Sequence, residues 1–420
     1  MLDMLADSIV KFFLHTGLFN FNVYQALFLA IGLVLIYLAV VKRIEPLLLT
    51  GIGTGMVLAN IPMAGLASPP ATLFEANTTG MMGITLNDLV NGGAGPLFIL
   101  YYIFIQTELV PLFIFLGLGA LTDFRPLIAQ PYTFILGAAA QLGVFVAMLG
   151  TLMLGFHLNE AASIGIIGGA DGPTTIYTTI KLAPYILGPT ALAAYTYMSL
   201  VPIIQPPIIR LLPKKHRAVK MKPPRQVHPL EAMMFPILLM VVATIFVPKA
   251  TPLIGMLALG NLFRESGITE VVERLSKTAA NEFMNILTIL LTITVGSTMS
   301  MDMVRFFSKQ MGITIEEFLL KFAIIFVWGL LAFAFSTIGG VVFGEIMYIV
   351  TKGKVNPIIG AAGVSAVPMS ARVCQREAQR IDPTNFILMN AMGPNVAGVI
   401  GTATAAGIYI DFVQRFYGWT

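Results

Sequence analysis

A single acidic residue, Asp171, is the group in this sequence best suited to chemistry. It lies in a stretch broken by Gly and Pro, GGADGPTT over residues 168–175, within an otherwise apolar segment of membrane-spanning length. A carboxylate at that depth is costly unless a cation, a hydrogen-bond donor or a water-lined cavity meets it. Gly and Pro interrupt helices and free backbone carbonyls, which can turn toward an ion. The pattern therefore predicts a cation ligand or proton acceptor, and the alternative is a capping Asp in a surface turn.

A second broken stretch, residues 356–372, supplies neutral oxygens and one cationic group. Its Asn356, Ser365 and Ser370 carry amide and hydroxyl oxygens, and Arg372 ends it. One carboxylate with neutral oxygens suits a hard monovalent ion such as Na+ better than a divalent ion. Arg372 can bind an anion because its planar fork matches a carboxylate. The alternatives are hydrogen bonding between helices for the Ser and Asn side chains and a positive-inside role for Arg372.

Three further polar residues lie in apolar surroundings. Asn395 follows a Gly-Pro break in residues 390–398, so its side chain or the freed carbonyls can reach an ion site. Tyr197 can relay a proton or donate to an anion, or it is a packing aromatic. Glu345 is a second acid that could carry a proton or a coupling ion. The sequence has no nucleophile–base pair, phosphate-binding loop or metal-ligand spacing, so its chemistry is of a kind that needs only a suitable environment.

The composition identifies the class of elements that must position these groups. The chain has 420 residues, of which 57% are hydrophobic and 11% charged, whereas soluble domains carry about 25% charged residues. Its apolar segments are uniformly apolar rather than alternating, which predicts membrane-spanning helices and not a barrel. The net charge of +4 does not suggest nucleic acid as a partner. Candidate spans lie near 22–41, 45–61, 96–121, 132–155, 160–180, 187–211, 230–247, 252–263, 284–300, 318–336, 338–351, 357–372 and 385–410. Several of them are short or interrupted by Gly or Pro, so we expect some to be re-entrant segments or half-helices rather than full crossings.

The basic residues are concentrated in one loop. Residues 211–228 contain six Lys or Arg and no acid, and loops of this charge stay on the cytoplasmic side. The chain also repeats itself, because Ile166–Ala170 is echoed by Ile358–Ala362 and two weaker matches flank this pair in the same order. Interrupted helices at corresponding places of two halves predict a binding site near the bilayer midplane. The halves are parallel or inverted, and the sequence leaves that open.

The predicted fold is therefore an all-α polytopic membrane protein with two structural repeats, whose Gly/Pro-broken helices form a midplane ion site. The predicted division is 1–95 for N-terminal spans and a polar connector, 96–212 for a first repeat broken at 166–175, 213–229 for a basic cytoplasmic loop, 230–283 for linking spans, and 284–420 for a second repeat broken at 356–372 and 390–398.

Three motifs together resemble a known family. Residues 168–174, 356–372 and 392–398 are similar to those of the β subunits of the sodium-translocating biotin-dependent decarboxylases, which act on oxaloacetate, methylmalonyl-CoA or glutaconyl-CoA. The resemblance extends over nearly the whole chain. It implies a multi-pass protein of a bacterial or archaeal inner membrane, a translocase that decarboxylates carboxybiotin, consumes a proton and exports Na+. It also implies partners: a biotin carrier protein that supplies the carboxybiotin, a carboxyltransferase α subunit, a small single-span membrane subunit, and further copies of the chain in a homo-oligomer.

The resemblance also implies roles for individual residues. The implied sodium-binding residues are Asp171, Asn356, Gly360, Ser365 and Asn395, with Asp171, Ser365 and Asn395 as direct ligands. The implied catalytic residues are Asp171, Tyr197 and Arg372, of which Tyr197 and Arg372 bind carboxybiotin. The alternative function is a secondary transporter that couples a small carboxylate to Na+, and a Na+/H+ exchanger is a third possibility. The acyl substrate, the number of Na+ ions per turnover and the oligomeric state cannot be derived from the residues.

Overall fold

The computed structural model describes residues 14, 16–71, 73, 86–267 and 269–418, and all regular structure within them is helical. Six helices are long and apolar enough to cross a membrane, or up to eight if each of two bent helix pairs is one span. The predicted all-α, polytopic membrane class is confirmed. Part of the predicted polar connector, residues 72 and 74–85, lies outside the described residues.

The helices follow one another as α1 Val23–Val40, α2 Pro46–Ala59, α3 Leu86–Asn91, α4 Pro96–Leu100, α5 Leu109–Leu121, α6 Arg125–Ala129, α7 Thr133–Ala140, α8 Leu142–Met153, α9 Leu158–Gly165, α10 Gly172–Leu182, α11 Leu187–Ser199, α12 Val201–Ile209, α13 Lys214–Arg217, α14 Pro229–Phe246, α15 Thr251–Glu265, α16 Thr269–Thr278, α17 Met284–Ser297, α18 Met301–Met311, α19 Ile315–Val350, α20 Met369–Gln379 and α21 Leu388–Tyr417. Short 3-10 helices cover Gly17–Phe19, Ile166–Gly169, Pro184–Ile186, Pro248–Ala250 and Pro357–Gly363, and π-helical turns cover Tyr101–Gln106 and Ala279–Phe283.

The described residues divide into two compact units that interleave along the chain. One unit comprises those within 1–110, 187–192 and 287–323, and the other those within 111–186, 193–286 and 324–420. In the first unit, α2 packs against α17 through glycines. A Cβ on Gly55 would lie 2.1 Å from the Ile293 carbonyl oxygen, and one on Gly296 would lie 2.1 Å from that of Ile52. The glycines therefore allow the two helix backbones to touch, as small residues do in membrane proteins.

Two predicted spans, 318–336 and 338–351, are wrong as separate crossings, because α19 continues through both for 36 residues. The Gly pair at 339 and 340 does not interrupt it, since Gly is tolerated in membrane helices. The hydroxyl of Thr337 donates to the Phe333 carbonyl at 3.1 Å, within the same helix. At 1.5 Å per residue, α19 is about 54 Å long, so it extends well beyond a hydrocarbon core of about 30 Å.

Two short hairpins of broken helix carry two of the three sequence motifs, and both lie in the second unit. The break predicted at 390–398 is absent, because α21 continues through Pro394. In the first hairpin, α9, the 3-10 turn Ile166–Gly169 and α10 double back, since Asn159 at the start of α9 donates to the Leu182 carbonyl at 2.9 Å. In the second, the 3-10 segment Pro357–Gly363 is followed by α20, and Cys374 donates to the Ile358 carbonyl at 3.2 Å. The segments predicted as spans 160–180 and 357–372 are therefore hairpins rather than single crossings.

Candidate functional site

The candidate site lies where the ends of the two hairpins meet. We call residues 168–171 the first tip and residues 364–368 the second tip. The amide of Ser365 donates to the Gly169 carbonyl at 2.9 Å, so a backbone hydrogen bond joins the two breaks directly. A Cβ on Gly169 would lie 2.3 Å from the Thr402 side chain. Glycine is therefore required here for close approach of the tips to α21.

Asp171 ends the first tip and caps α10. Its Oδ1 accepts a hydrogen bond from the Thr174 amide at 3.2 Å, which satisfies one of the unpaired donors at a helix N-terminus. The side chain is buried, and its Oδ2 has no hydrogen-bond partner among the described residues. The positive end of the helix dipole favours a negative charge at this position. Asp171 is thus both the capping residue of the alternative interpretation and a carboxylate with one oxygen left for a cation.

Asn395 borders the second tip from α21. Its Nδ2 donates to the Val364 carbonyl at 2.7 Å, and its Oδ1 is buried without a partner in the part of the chain that the structure describes. An unpaired buried oxygen costs about 1–3 kcal/mol. Asp171 and Asn395 each leave one such oxygen at the tips, and a cation bound to either oxygen would remove its cost.

The hydroxyl of Ser365 is a third candidate oxygen ligand, beside the side-chain oxygens of Asp171 and Asn395. Its Oγ lies 2.7 Å from Oγ1 of Thr402, which in turn lies 3.2 Å from Oε1 of Gln141. Thr402 is on the same face of α21 as Asn395, seven residues further on. Neither Thr402 nor Gln141 is among the site residues predicted from the sequence. The spacing of seven could have identified Thr402, whereas Gln141 shows only as an amide in the middle of an apolar segment.

The remaining predicted residues lie away from the hydrogen bonds of the two tips. The Tyr197 hydroxyl donates to the Phe326 carbonyl at 2.6 Å. Gly360 packs against α19, where a Cβ would lie 1.9 Å from the Gly340 carbonyl oxygen. Their predicted roles in binding carboxybiotin and Na+ therefore stay predictions, without support from these contacts.

Asn356 begins the second hairpin and holds the basic segment 213–228, which we call the basic strap. Its Oδ1 accepts from the Ile358 amide at 3.0 Å, and its Nδ2 donates to the carbonyls of Arg217 at 3.0 Å and Val219 at 2.7 Å. Beyond Ala218 the strap has no helix or strand of its own. Its backbone is instead fixed by side chains, because Asn385 and Asn390 also donate to strap carbonyls, at 3.0 and 3.1 Å. Asn356 thus connects the strap to the hairpin, and its predicted role as a sodium ligand stays a prediction.

Glu345 also fixes the strap rather than joining the tips. Its Oε1 lies 2.5 Å from Nδ1 of His216, and the His216 ring stacks on Tyr348 at a centroid distance of 4.1 Å. Further along the strap, Lys220 pairs with Asp382 at 2.9 Å. The hydrogen bond from Lys220 is the main cause that lowers the pKa of Asp382 to about 2. The Asp382 carboxylate therefore remains ionised at physiological pH.

Arg372 lies on an exposed face of α20. Arg372, Arg376 and Arg380 follow one another at intervals of four residues, and all three are exposed, as expected for one face of a helix and its C-terminal cap. The opposite face is buried, and there Glu377 accepts two hydrogen bonds from Arg210 at 2.7 and 2.9 Å. Glu377 also lies 3.9 Å from Nη1 of Arg380. Two arginines therefore neutralise this acid, and Arg372 and Arg376 keep the positive charge of the exposed face.

Comparisons with known proteins identify the family of the chain. The family model described as "Na+-transporting oxaloacetate decarboxylase beta subunit" matches residues 24–413. The chain is 46% identical to the glutaconyl-CoA decarboxylase subunit beta of Acidaminococcus fermentans, over 98% of this chain and 99% of that protein. It is 48% identical to the methylmalonyl-CoA decarboxylase subunit beta of Veillonella parvula, over 99% of this chain and 100% of that protein. It is 43% identical to the oxaloacetate decarboxylase beta chain of Klebsiella pneumoniae, over 94% and 97%.

Proposed function

Because the chain belongs to the family of Na+-transporting decarboxylase β subunits, we propose that it decarboxylates carboxybiotin and uses the released free energy to export Na+. One observation carries this proposal for the site: two buried oxygens, Oδ2 of Asp171 and Oδ1 of Asn395, border the same pair of tips and have no hydrogen-bond partner among the described residues. The candidate ligands are a carboxylate, an amide, the hydroxyl of Ser365 and glycine carbonyls. All of them offer hard oxygens, and only the carboxylate is charged. Such a set suits Na+, which is here the transported substrate.

Asp171 is the group at which the ion and the proton compete. With Na+ bound, the carboxylate is ionised and the cation takes the place of the missing hydrogen bond at Oδ2. When a proton binds instead, the cation loses its only charged ligand and its affinity falls. Protonation of Asp171 therefore promotes release of Na+, and the direction of release depends on which side of the membrane the tips then face.

Decarboxylation itself requires an environment rather than a nucleophile. The bond between the biotin nitrogen and the carboxyl carbon breaks, its electron pair stays on the nitrogen, and the nitrogen takes up one proton as CO2 leaves. Loss of CO2 becomes easier when the carboxylate is transferred from water to a site with fewer donors. In this proposal Arg372, at the start of the exposed arginine face, captures the carboxylate of incoming carboxybiotin through its planar fork, before the carboxylate leaves water. Tyr197 would have to release the Phe326 carbonyl before it could donate to carboxybiotin.

The proposed partners follow from family membership and from the charge of the surface. They are a biotin carrier protein, a carboxyltransferase α subunit, a small single-span membrane subunit and further copies of this chain, in a bacterial inner membrane. The exposed face with Arg372, Arg376 and Arg380, together with the exposed Lys222 of the basic strap, is suited to an acidic carrier. Relatives named for three different acyl substrates match this chain at similar identity. This similarity supports the proposal that the acyl substrate is selected on another subunit.

The decisive experiment uses the assembled complex in liposomes. Radiolabelled Na+ is followed while the acyl substrate is decarboxylated, with and without avidin, which sequesters biotin. Na+ transport that avidin abolishes, in step with CO2 release, is expected. Na+ transport that is indifferent to avidin and needs only a free carboxylate would refute the proposal in favour of a secondary transporter, and transport driven by a pH gradient alone would refute it in favour of an exchanger.

A further inference from the structure

The hydroxyl of Ser365 belongs to a small buried cluster whose hydrogen-bond directions can be deduced. Thr402 Oγ1 lies within hydrogen-bond distance of three oxygens: Ser365 Oγ at 2.7 Å, the Gly398 carbonyl at 3.0 Å and Gln141 Oε1 at 3.2 Å. A hydroxyl carries one proton and accepts through its lone pairs. Only one of these three contacts can therefore use the proton of Thr402.

The orientation of the Gln141 amide follows from its neighbours. Its Nε2 faces the carbonyls of Gly137 at 3.3 Å and Gly398 at 3.5 Å. The reverse orientation would place its carbonyl oxygen against these two acceptors, where no proton lies between the oxygens. The side-chain oxygen of Gln141 therefore faces Thr402 and acts only as an acceptor.

The direction of the Ser365–Thr402 bond follows in turn. Gly398 O and Gln141 Oε1 cannot donate, so the Thr402 proton is directed to one of them. If Thr402 donated to Ser365 instead, its lone pairs would face two acceptors without a proton, in a buried site where such contacts are costly. Ser365 therefore donates its only proton to Thr402, and the side of Ser365 Oγ that faces away from Thr402 carries only lone pairs.

We infer that Thr402 is a positioning residue for the proposed Na+ site, because it holds the proton of Ser365 away from the tips and leaves Ser365 as a pure oxygen ligand. The inference rests on the proposed function of Ser365 as a cation ligand. Gln141 is a second acceptor for the Thr402 proton, and the Gly398 carbonyl can replace it. Substitutions of Thr402 and Gln141 should therefore affect Na+ binding unequally. Their burial is similar, since Thr402 is 0% exposed and Gln141 is 6% exposed.

The test measures the Na+ dependence of decarboxylation by the assembled complex in four variants, of which the fourth, Ser365→Ala, tests the ligand role itself. Thr402→Val keeps the shape of the side chain but removes the acceptor for the Ser365 proton. It is expected to raise the Na+ concentration for half-maximal rate about tenfold, as the loss of about one hydrogen bond does, with the rate at saturating Na+ largely retained. Thr402→Ser restores the hydroxyl and is expected to restore the Na+ dependence. Gln141→Leu removes a polar contact of the same cluster and is expected to change the Na+ requirement less than threefold, since Gly398 O still accepts from Thr402.

Two outcomes would overturn the inference. If Gln141→Leu raises the Na+ requirement as much as Thr402→Val, the effect comes from disturbed packing and not from the direction of the Ser365 proton. If Thr402→Val leaves the Na+ requirement unchanged while Ser365→Ala raises it, Thr402 does not position Ser365, although the proposed ligand role of Ser365 stands. A Ser365→Ala variant with unchanged Na+ dependence would instead refute that ligand role. Na+ protection of each solubilised variant against thermal unfolding gives a second readout that does not depend on turnover.

Discussion

Replacing Asp171 by Asn tests the proposed ion site most directly, because the structure separates the two functions of this side chain. Oδ1 accepts from the Thr174 amide, and Oδ2 has no partner among the described residues. Asn retains an acceptor of the same shape at Oδ1, and Asn and Asp are equally good N-caps. The substitution therefore removes the charge at the tips while the cap of α10 is kept.

The expected loss of Na+ affinity is large. Two unit charges about 4 Å apart interact with about 4 kcal/mol at an effective dielectric constant of about 20, which corresponds to roughly a thousandfold in affinity. The rate of decarboxylation by the assembled complex should then no longer respond to Na+ in the millimolar range, and radiolabelled Na+ should not accumulate in liposomes. The unfolding temperature without Na+ should be unchanged or higher, because a buried carboxylate without its cation is costly.

Two further variants control this experiment. Asp171→Glu keeps the charge but moves it by one methylene, so Na+ dependence should weaken without being lost. Asp411→Asn removes a partly exposed acid that pairs with Arg415 at 2.8 Å on α21, and it should behave as the unchanged protein. If Asp171→Asn retained Na+ transport coupled to CO2 release, the reasoning that places the cation at this carboxylate would be wrong.

Three other predictions concern the surroundings of the tips. Gly169→Ala would place a Cβ 2.3 Å from Thr402 and should lower the unfolding free energy by about 1–3 kcal/mol, measured by thermal unfolding. Gly255→Ala on α15 is the control, because nothing lies within 4 Å of the added Cβ; it should be neutral in the same thermal unfolding assay. Asn356→Ala should increase trypsin cleavage of the basic strap about tenfold because a loosened segment opens more often, and an unchanged digestion pattern would contradict the tether. Arg376→Glu should raise the concentration of biotin carrier needed for half-maximal rate about threefold to tenfold. The effect should be larger at low ionic strength, which is adjusted with choline chloride. Equal rates for Arg376→Glu and Arg376→Gln would contradict docking by charge.

Local patterns determined the class of the protein and the position of two breaks, whereas the break predicted at 390–398 is absent because α21 runs through Pro394. A composition with few charges predicted an all-helical membrane protein, and the structure has at least six helices that could span a bilayer. Gly and Pro predicted interruptions near Asp171 and after Asn356, and 3-10 segments begin or end at both places. These features depend on backbone conformation and on solvation of single residues, both of which the local sequence controls. For the same reason Asp171 was recognisable as a costly group that required a partner.

The tertiary structure decided which groups meet. It turned the predicted spans 160–180 and 357–372 into hairpins, joined α19 into one helix, and brought the amide of Ser365 to the Gly169 carbonyl. It also supplied Thr402, which lies far from both tips in the chain. Hydrogen-bond partners of this kind depend on how segments far apart in the sequence pack together. The type of a residue and its neighbours in the sequence do not encode that packing. The sequence by itself thus identified the carboxylate and the broken backbone, whereas only the packing of both hairpins against α21 decided which oxygens surround the candidate ion site.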